Sequence, residues 1–302
     1  MDRFDAIRTL LAAVDGGSLS AASRKLGMPM PTVSRKVSEL EQHLGTQLVI
    51  RTSRKLILTD AGRAFVASSR VVLELLDDAE RAASGEYRTP RGNLLVTASI
   101  LFGKLYVTPI AIEFLAAYPE VNLKLVLADH VIDLVENHVD AAIRIGQLPD
   151  SGLIASHIGD IHWVTCASPD YLARRGTPAT PEDLENHDCI AFEGLEPGRI
   201  WRLGKGDQQT SITIQPRFAG STADAVIEAA AAGIGICRTT SYQVDAAVRE
   251  GRLVKVLSEF VPAPLPVHLV HADQGLIPLK LRAFLDFAKP LLKAQLAAVG
   301  TA

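Results

Sequence analysis

Residues 18–41 read SLSAASRKLGMPMPTVSRKVSELE, and they predict two short helices joined by a tight turn. Ser20 is the expected N-cap of the first helix, because its hydroxyl can accept a backbone N–H that has no partner within the helix. Gly27 suits the left-handed residue that ends a helix. Pro31 suits the first position of the next helix, where a missing N–H costs nothing. The segment is therefore typical of a helix-turn-helix.

The second of these helices has two chemically different sides. Val33, Val37, Leu40 and Leu44 recur at a spacing that places them on one stripe, and Gly45 ends the helix. The other side is polar and cationic, which suits the major groove of DNA, where an arginine can read guanine. The candidate DNA-binding residues of the two helices are Ser20, Pro31, Thr32, Ser34, Arg35 and Ser38. An ordinary amphipathic helix with a solvated polar face has the same pattern.

The flanking segments favour the DNA-binding interpretation. An upstream helix is predicted by an apolar stripe at Phe4, Ile7, Leu11 and Val14. Residues 47–58 read QLVIRTSRKLIL and predict two short strands around a cationic turn, which is a wing. The wing side chains expected over phosphates or a minor groove are Arg51, Arg54 and Lys55.

The distribution of charge supports the same placement. The chain of 302 residues has 31 basic and 34 acidic side chains, a net charge of −3. Residues 18–58 contain seven basic and two acidic side chains, a net charge of +5, so the remainder carries −8. A cationic patch on an otherwise acidic protein indicates a polyanionic partner.

At this point the chain resembles the LysR-type transcriptional regulators. The motifs that carry the resemblance are GSLSAA (17–22), PTVSR (31–35), LEQHLG (40–45), RT (51–52), LTDAG (58–62), AAIRIG (141–146) and GIGI (233–236). The N-terminal motifs are highly specific, whereas the C-terminal ones alone are weak. Two departures stand out: Val49 replaces a frequent aromatic residue, and Pro29 and Met30 replace the usual polar pair before the recognition helix. The family's base contacts therefore transfer only in part.

A long helix is predicted after the wing. Thr59 and Asp60 cap its start, and it runs to about Tyr87, before Pro90. A heptad seam is formed by Phe65, Ser68, Val72, Leu75, Ala79 and Ala82. The seam predicts a homodimer through residues 60–89, although packing on its own domain is the alternative. The resemblance also implies paired linker helices and a dimer of dimers, a homotetramer.

From residue 93 the pattern changes to alternating strands and helices. Strands are predicted at 94–98, 121–127 and 140–145, with helices at 103–118 and 133–137. This alternation indicates an α/β domain with a largely parallel sheet. Strand-like segments at 162–167 and 267–271 can link two lobes, with a helix at 224–232 in the second. The resemblance implies the two-lobed fold of periplasmic binding proteins of type 2.

The predicted architecture is thus α/β overall, with three parts. A winged helix-turn-helix occupies residues 1–59, a linker helix residues 60–89, and an effector-binding domain residues 90–302. Within the last part, lobe I is expected at 90–163 and 268–302, and lobe II at 164–267.

Two strand-to-helix junctions, 99–104 and 220–224, offer hydroxyls and backbone N–H groups where α/β proteins bind ligands. We hypothesise a small carboxylate effector between the lobes. Its candidate contacts are Ser99, Ile100, Phe102, Gly103, Ile145, Phe192, Ser221, Thr222 and Ile236. Plain N-capping by the hydroxyls and core packing by the apolar residues are equally compatible with the pattern. Asp224 weakens the case for an anion, because it can occupy the positive end of its own helix.

Several classes of protein are disfavoured. The start, MDRF, does not resemble a signal peptide, and the most apolar run, 223–236, is too short and too interrupted to span a bilayer, so a cytoplasmic protein with no membrane partner is expected. The three cysteines, Cys166, Cys189 and Cys237, are far apart and form no CxxC motif, which fits a protein of a reducing compartment. A redox-sensing pair of cysteines is the alternative. No metal-type cluster, GxSxG or GxGxxG motif occurs, so we expect neither catalysis nor a metal or cofactor.

The sequence therefore predicts a regulator that binds double-stranded DNA and whose subunit geometry responds to a small-molecule effector. The response would change how the DNA is bent or how RNA polymerase is contacted. Three other classes share some of these features: a solute-binding transport protein, an enzyme on the same two-lobed fold, and a nucleoid-type protein without an effector. The N-terminal module argues against the first, the missing catalytic motifs argue against the second, and the third predicts little sequence preference.

Overall fold

The chain folds into two compact units, which we describe separately. One spans residues 1–89 and the other takes in residues 90–275 and 280–302. The computed structural model describes residues 2–51, 56–83, 89–149, 152–193, 199–206, 209–273 and 277–299.

The first unit contains a three-helix module, a two-stranded ribbon and a long helix. Its elements are α1 (Arg3–Asp15), α2 (Leu19–Leu26), α3 (Met30–Leu44), β1 (Val49–Arg51), β2 (Leu56–Leu58) and α4 (Asp60–Ala83). β1 and β2 are antiparallel, with Val49 opposite Leu58. This is the winged helix-turn-helix that the sequence predicts, followed by the long helix.

The helix ends follow local chemistry, with two corrections. The N-cap of α2 is Ser18, whose hydroxyl accepts the Ala21 N–H over 3.1 Å, so the prediction of Ser20 as the cap is wrong. α3 begins at Met30, one residue before the predicted start. The predicted ends are confirmed, since Gly27 and Gly45 adopt left-handed conformations with φ of 63° and 64°.

The core of the three-helix module lies between α1 and α3. Val33, Val37 and Leu40 of α3 are at most 1% exposed, as the apolar stripe predicts, whereas Leu44 is 38% exposed and lies outside the core. The buried side of α1 is formed by Ala6, Leu10, Ala12 and Ala13. The predicted stripe of α1 lies at the edge of this side, where Ile7, Leu11 and Val14 are partly buried and Phe4 is 45% exposed.

The helix α4 has one buried and one exposed side. Val66 and Leu73 are buried, and two ion pairs fix α4 to α1: Arg8 with Asp77 at 2.8 Å, and Arg70 with Asp15. The predicted heptad residues lie mostly away from this packed side. Ser68 and Ala79 are exposed, Val72 is 47% exposed, Phe65 and Leu75 are partly buried, and the side chain of Ala82 lies outside the described residues.

The second unit is built from two five-stranded sheets with flanking helices. Its first elements are β3 (Gly92–Ala98), α5 (Ile100–Phe102), a π-helical turn (Gly103–Val107), α6 (Thr108–Ala117), β4 (Val121–Leu127), β5 (Ala141–Ile145), β6 (Leu153–Ile161), β7 (Trp163–Ala167) and α7 (Pro169–Arg175). They are followed by a 3₁₀ helix (Pro181–Asn186), β8 (Cys189–Phe192), β9 (Ile200–Leu203), β10 (Thr210–Thr213), β11 (Pro216–Gly220), α8 (Ala223–Ala231), β12 (Ile236–Thr240), α9 (Ser241–Arg249), β13 (Val254–Val256), a 3₁₀ helix (Ser258–Phe260), β14 (Leu265–Ala272) and α10 (Leu279–Val299).

Each sheet defines one lobe. Lobe I has the strand order β4-β3-β5-β14-β6, and lobe II the order β11-β8-β12-β7-β13. The chain passes between the lobes at His162 and again just before Leu265. Residues 265–267 therefore belong to lobe I, and Trp163 belongs to lobe II, which moves the predicted lobe boundaries by one to three residues.

The prediction of a largely parallel sheet is wrong for half of the strand pairs. β3 is parallel to β4 and β5, and β8 is parallel to β11 and β12, but β14 and β7 are antiparallel to both of their neighbours. The reason is topological. β7 and β14 are the strands that enter a sheet directly from the other lobe, without the helical crossover that a parallel pair needs.

Two local predictions in lobe I also change. The predicted helix at 133–137 is a series of turns, because Asp133 Oδ1 accepts the N–H groups of Val135 and Glu136, both over 2.8 Å, and His138 adopts a φ of 53°. The helix predicted at 103–118 instead runs from Ile100 to Ala117. It passes through a π turn ahead of Pro109, where the Thr108 N–H bonds to the Gly103 carbonyl.

One stretch of the described chain, Ile100–Ala117, is long and apolar enough to cross a membrane by length and composition alone. In the structure it is a core helix of lobe I. Phe102, Val107, Ile110 and Phe114 are at most 2% exposed, and Phe114 contacts the ring of Phe284 of α10 edge to face at 5.3 Å. Burial of this side accounts for part of its apolar composition, whereas Leu105 and Ile112 are 43% and 64% exposed.

Candidate nucleic-acid interface and ligand cleft

The polar side of α3 is open to solvent. Pro31 and Ser38 are exposed, Thr32 and Ser34 are partly exposed, and the side chain of Arg35 is 70% exposed. Arg35 Nε lies 3.8 Å from Glu39 Oε1, one helical turn on, which is a weak contact between exposed groups. The candidate DNA-binding residues of α3 thus share one accessible side, opposite the buried stripe.

Two other polar residues near α3 have structural partners. Lys36 of α3 is mostly buried and forms an ion pair with Asp5 of α1. This ion pair fixes α3 to α1. Ser20, a candidate DNA contact, is exposed, and its hydroxyl lies 3.8 Å from the sulfur of Met30. These contacts connect the start and the middle of α3 to α2 and α1.

The wing is held to the end of α3 by a carboxylate. Glu41 Oε1 accepts the backbone N–H groups of Leu48 over 2.8 Å and Val49 over 3.0 Å. The predicted wing side chains Arg51, Arg54 and Lys55 lie outside the described residues, although the backbone of Arg51 ends β1. Val49, the departure from the family pattern, is 1% exposed and packs in the module's core.

In the second unit, a cavity of about 200 Å³ lies at the carboxyl ends of β3, β4 and β5. Two candidate effector contacts, Ser99 and Ile145, line it. Three charged or titratable residues that the sequence analysis missed line it as well: Asp129, His130 and Arg144. Asp129 and His130 follow the end of β4 after one residue, Ala128, so the position of polar residues at the end of a strand was the signal that could have identified them.

Asp129 has a defined electrostatic role in this cavity. Its Oδ1 accepts the N–H of Ile100 over 2.9 Å, so it faces the first turn of the helix that follows β3. Burial raises the pKa of Asp129, the N–H of Ile100 opposes the rise, and the negative charge of Asp224 in lobe II adds to it. The guanidinium of Arg144 donates to the Ile132 carbonyl over 2.8 Å. The cavity thus contains one carboxylate and one guanidinium.

Three aromatic rings connect the two lobes next to Ser99. Phe102 and Tyr106 of lobe I have ring centroids 4.8 Å apart, and Tyr242 at the start of α9 lies 5.5 Å and 5.9 Å from them. Burial raises the pKa of Tyr242 to about 12, and the hydroxyls of Ser99 and Thr240 oppose the rise. The cleft between the lobes is therefore closed on this side by an apolar contact.

The remaining candidate effector contacts lie in less accessible places. Ile100 is partly exposed, whereas Phe102 is 0% exposed and Gly103 is buried. Ile236 is buried within the core of lobe II and Phe192 is 5% exposed. In lobe II, Ser221 is exposed, and the Thr222 hydroxyl caps α8 by accepting the Ala225 N–H over 3.5 Å. The structure brings Ser99 and Ile145 together at one cavity and places Phe192 and Ile236 among core residues.

The cysteines, distant in sequence, form one close pair. Cys166 and Cys237 face each other on β7 and β12 with their sulfurs 3.4 Å apart, and both are 0% exposed. The hydrogen bond that the Cys237 thiol shares with Cys166 and complete burial raise the pKa of Cys237 well above its ordinary value. Among the residues that the structure describes, no three His, Cys, Asp or Glu side chains are grouped as a metal site.

Known proteins resemble the chain along almost its whole length. Residues 4–63 match the bacterial regulatory helix-turn-helix protein, lysR family, and residues 88–293 match the LysR substrate binding domain. An HTH-type transcriptional repressor of Pseudomonas aeruginosa is 34% identical over 293 residues, which cover 96% of this chain and 92% of that protein. The HTH-type transcriptional regulator CrgA of Neisseria meningitidis is 34% identical over 283 residues, covering 93% of this chain and 94% of that protein.

Solved structures agree with these sequence similarities. The structure of CrgA, a LysR-type transcriptional regulator from Neisseria meningitidis, has a TM-score of 0.61 at 32% identity and covers 95% of this chain and 98% of that one. The full-length structure of AphB, a virulence activator of Vibrio cholerae, has a TM-score of 0.60 at 28% identity and covers 94% of this chain and 97% of that one.

Proposed function

The chain belongs to the LysR family of transcriptional regulators, which are DNA-binding proteins with an effector-binding domain and not enzymes, and from that premise we propose how its own residues act. In this proposal, the exposed side of α3 enters the major groove. Arg35 reads a guanine there, while Thr32, Ser34 and Ser38 contact bases or phosphate oxygens. The carrying observation is the division of α3 into a stripe that is at most 1% exposed and an opposite side with an arginine side chain 70% exposed.

Two copies would be joined through α4. Its packed side is occupied by α1, and its heptad residues Ser68, Val72 and Ala79 remain exposed within one chain. Pairing of two copies along this seam places two recognition helices on one DNA duplex, which favours a roughly two-fold symmetric site. In this proposal the dimers associate further into a tetramer.

The effector would bind at the lobe I cavity beside Ser99. The first turn of the helix at Ile100 already faces the carboxylate of Asp129, so a second anion there would meet repulsion. Arg144 is the cation that lines the cavity, and it supports a small effector whose carboxylate pairs with Arg144 and whose hydrogen-bond donor meets Asp129. A molecule with both groups fits the mixed charge of the cavity better than a simple anion.

Regulation then follows from unequal affinity. An effector that binds one arrangement of the lobes more tightly than another shifts the population toward that arrangement. In an oligomer held by α4, such a shift changes the spacing of the recognition helices, and with it the bend of the DNA or the contact with RNA polymerase.

The DNA-reading role is tested with Arg35→Ala, measured on a selected target site and on random duplex over a range of salt concentrations. The loss of a bidentate guanine contact should weaken specific binding by about 1–3 kcal/mol and leave non-specific binding almost unchanged. Arg249→Ala, which removes an arginine whose side chain is 74% exposed in lobe II, is the matched control. Equal losses of specific and non-specific affinity in Arg35→Ala would show that this side chain reads no base.

The wing is tested in the same assay with Arg54→Ala, which should weaken both kinds of binding and reduce the slope of log affinity against log salt by about one unit.

The effector class is tested by calorimetry on the whole protein with amino acids, hydroxy acids, simple carboxylates and amines. Arg144→Gln should abolish binding of the carboxylate-bearing compounds, whereas Arg249→Gln should not. Binding of amines alone would contradict the proposed role of Arg144.

A further inference from the structure

The recognition helix begins with an apolar tip. Met30 is the first residue of α3, and Pro29 and Pro31 flank it, both exposed. Met30 is 52% exposed, more than the five other exposed large apolar residues in the described part of the first unit, which range from 38% to 47%. The tip lies at the end of a helix whose accessible side is otherwise polar.

This tip cannot recognise DNA through the usual donors of a helix start. Proline has no N–H, so Pro29 and Pro31 contribute no backbone donor, and α3 has no side-chain cap at Pro29. The N–H groups of Thr32 and Val33 already bond to the Pro29 carbonyl, over 2.9 Å and 3.2 Å. The first turn of α3 therefore presents carbon and sulfur atoms to its surroundings, with few N–H groups for a phosphate or an acceptor on a base.

The tip lies on the same side as the residues proposed to read bases. Met30 is four residues before Ser34, and Pro31 is four residues before Arg35, so each pair shares a face of the helix. The hydroxyl of Ser20 on α2, 3.8 Å from the Met30 sulfur, orients the thioether on this side. If α3 lies in the major groove, its first residues approach the base edges.

The major groove offers one strongly apolar group, the C5-methyl of thymine. We propose that Met30 determines part of the sequence specificity by packing its thioether against a thymine methyl in each half-site, flanked by the rings of Pro29 and Pro31. This inference rests on the proposed insertion of α3 into the groove. A methionine suits the task because its unbranched, polarisable side chain adapts to the position of a methyl group.

The test begins with a target site selected from random duplexes by the whole protein. Each thymine of that site is replaced singly by uracil, which keeps the base pair and removes only the methyl. Binding should weaken about fourfold at one thymine of each half-site, the ratio expected from one methyl-sized apolar contact. In Met30→Ala, the same uracil substitution should have no effect, and in Met30→Leu the discrimination should persist.

Because Met30 is exposed, its variants should unfold at the same temperature as the parent protein. A lower unfolding temperature would therefore identify a variant with a folding defect. Uracil substitutions without effect at every position would overturn the inference, and so would an equal uracil penalty in the parent and in Met30→Ala. If Met30→Ala binds as tightly and as selectively as the parent, the inference also fails. Failure of the proposed function gives a different result, since no target site would then be enriched over random duplex by the parent protein.

Discussion

The carboxylate of Asp129 accepts the backbone N–H of Ile100 over 2.9 Å, so lobe I supplies its own anion at the first turn of the helix that ends at Ala117. The sequence places that turn among the candidate effector contacts because free N–H groups attract anions. The structure assigns the N–H of Ile100 to Asp129. An effector that binds near this turn therefore also meets the negative charge of the Asp129 carboxylate.

Asp129 should make the protein less stable as the pH rises. Burial raises the pKa of Asp129 above its usual 3.8, so in the interval between the unfolded and folded pKa values the folded state binds more protons than the unfolded state. The contribution of Asp129 to the stability of the folded state therefore falls with increasing pH across that interval. In Asp129→Asn, whose amide oxygen still accepts the Ile100 N–H, this part of the fall should disappear.

The measurement is urea unfolding of the parent protein and Asp129→Asn from pH 3 to pH 7, with the difference between the two curves isolating this group. Asp286→Asn, an exposed carboxylate on α10, is the matched control and should follow the parent curve. The burial effect would be contradicted by a difference curve that is flat with pH, and also by one in which the parent gains stability relative to Asp129→Asn as the pH rises.

Structural features that neighbouring residues determine could be predicted from the sequence, whereas features that distant parts of the chain determine could not. The C-terminal ends of α2 and α3 follow from neighbouring residues, since Gly27 and Gly45 end their helices where predicted, and the start of α3 is predicted to within one residue. The prediction of Ser20 as the cap is wrong because Ser18 and Ser20 both precede the same apolar pattern, and the structure caps α2 with Ser18, whose backbone is extended. The strand directions of β7 and β14 depend on the passage between lobes, which no local pattern records.

The candidate site shows the same division. The exposed side of α3 could be predicted because helix periodicity fixes which residues share a face. The ligand cavity could be predicted only in part. Ser99 adjoins a predicted strand end, whereas the approach of Asp129 to Ile100 and of Tyr242 to Phe102 joins segments 29 and 140 residues apart.

The buried thiols should be unreactive in the folded protein. Cys166 and Cys237 are 0% exposed, so a reagent has no access to them. Burial raises the pKa of Cys189 to about 12, so little of its reactive thiolate form is present. We expect Ellman's reagent to modify none of the three cysteines in the native protein and all three in guanidinium. Treatment of the native protein with hydrogen peroxide should leave the mass of the three cysteine-containing peptides unchanged, whereas the exposed Met30 should gain oxygen. A loss of two hydrogens, placed by peptide mapping between Cys166 and Cys237, would favour the redox-sensing alternative instead.

Gly62 should be required where α4 meets the wing. A Cβ added at Gly62 would lie 2.0 Å from the carbonyl oxygen of Leu48, and since that oxygen belongs to the backbone, the segment that leads into β1 must move away from α4. Gly62→Ala should lower the free energy of unfolding by about 1–3 kcal/mol, the usual cost of overpacking. Ala61→Ser, one residue earlier and exposed, should change it by less than about 0.5 kcal/mol. Equal stability of the two variants in urea unfolding would show that the close approach is not maintained in solution.

Val72 should hold two subunits together. It is 47% exposed in one chain, at the centre of a heptad seam whose opposite side already packs on α1, so its apolar surface is available to a partner helix. Val72→Glu places two like charges against each other in a paired helix and removes about 1.5 kcal/mol or more of apolar burial from each copy. Sedimentation velocity at micromolar concentration should therefore show a shift from dimer or tetramer to monomer.

DNA binding reports on the same seam independently. A monomer contacts one half-site at a time, so Val72→Glu should lose most of its affinity for a two-fold symmetric site while its affinity for a single half-site stays that of the parent. Glu80→Lys, an exposed charge change on the same helix outside the seam, should leave both the assembly and the affinity almost unaltered. If Val72→Glu sediments like the parent and binds the full site equally well, the subunits are joined elsewhere and α4 only spaces the two units of one chain.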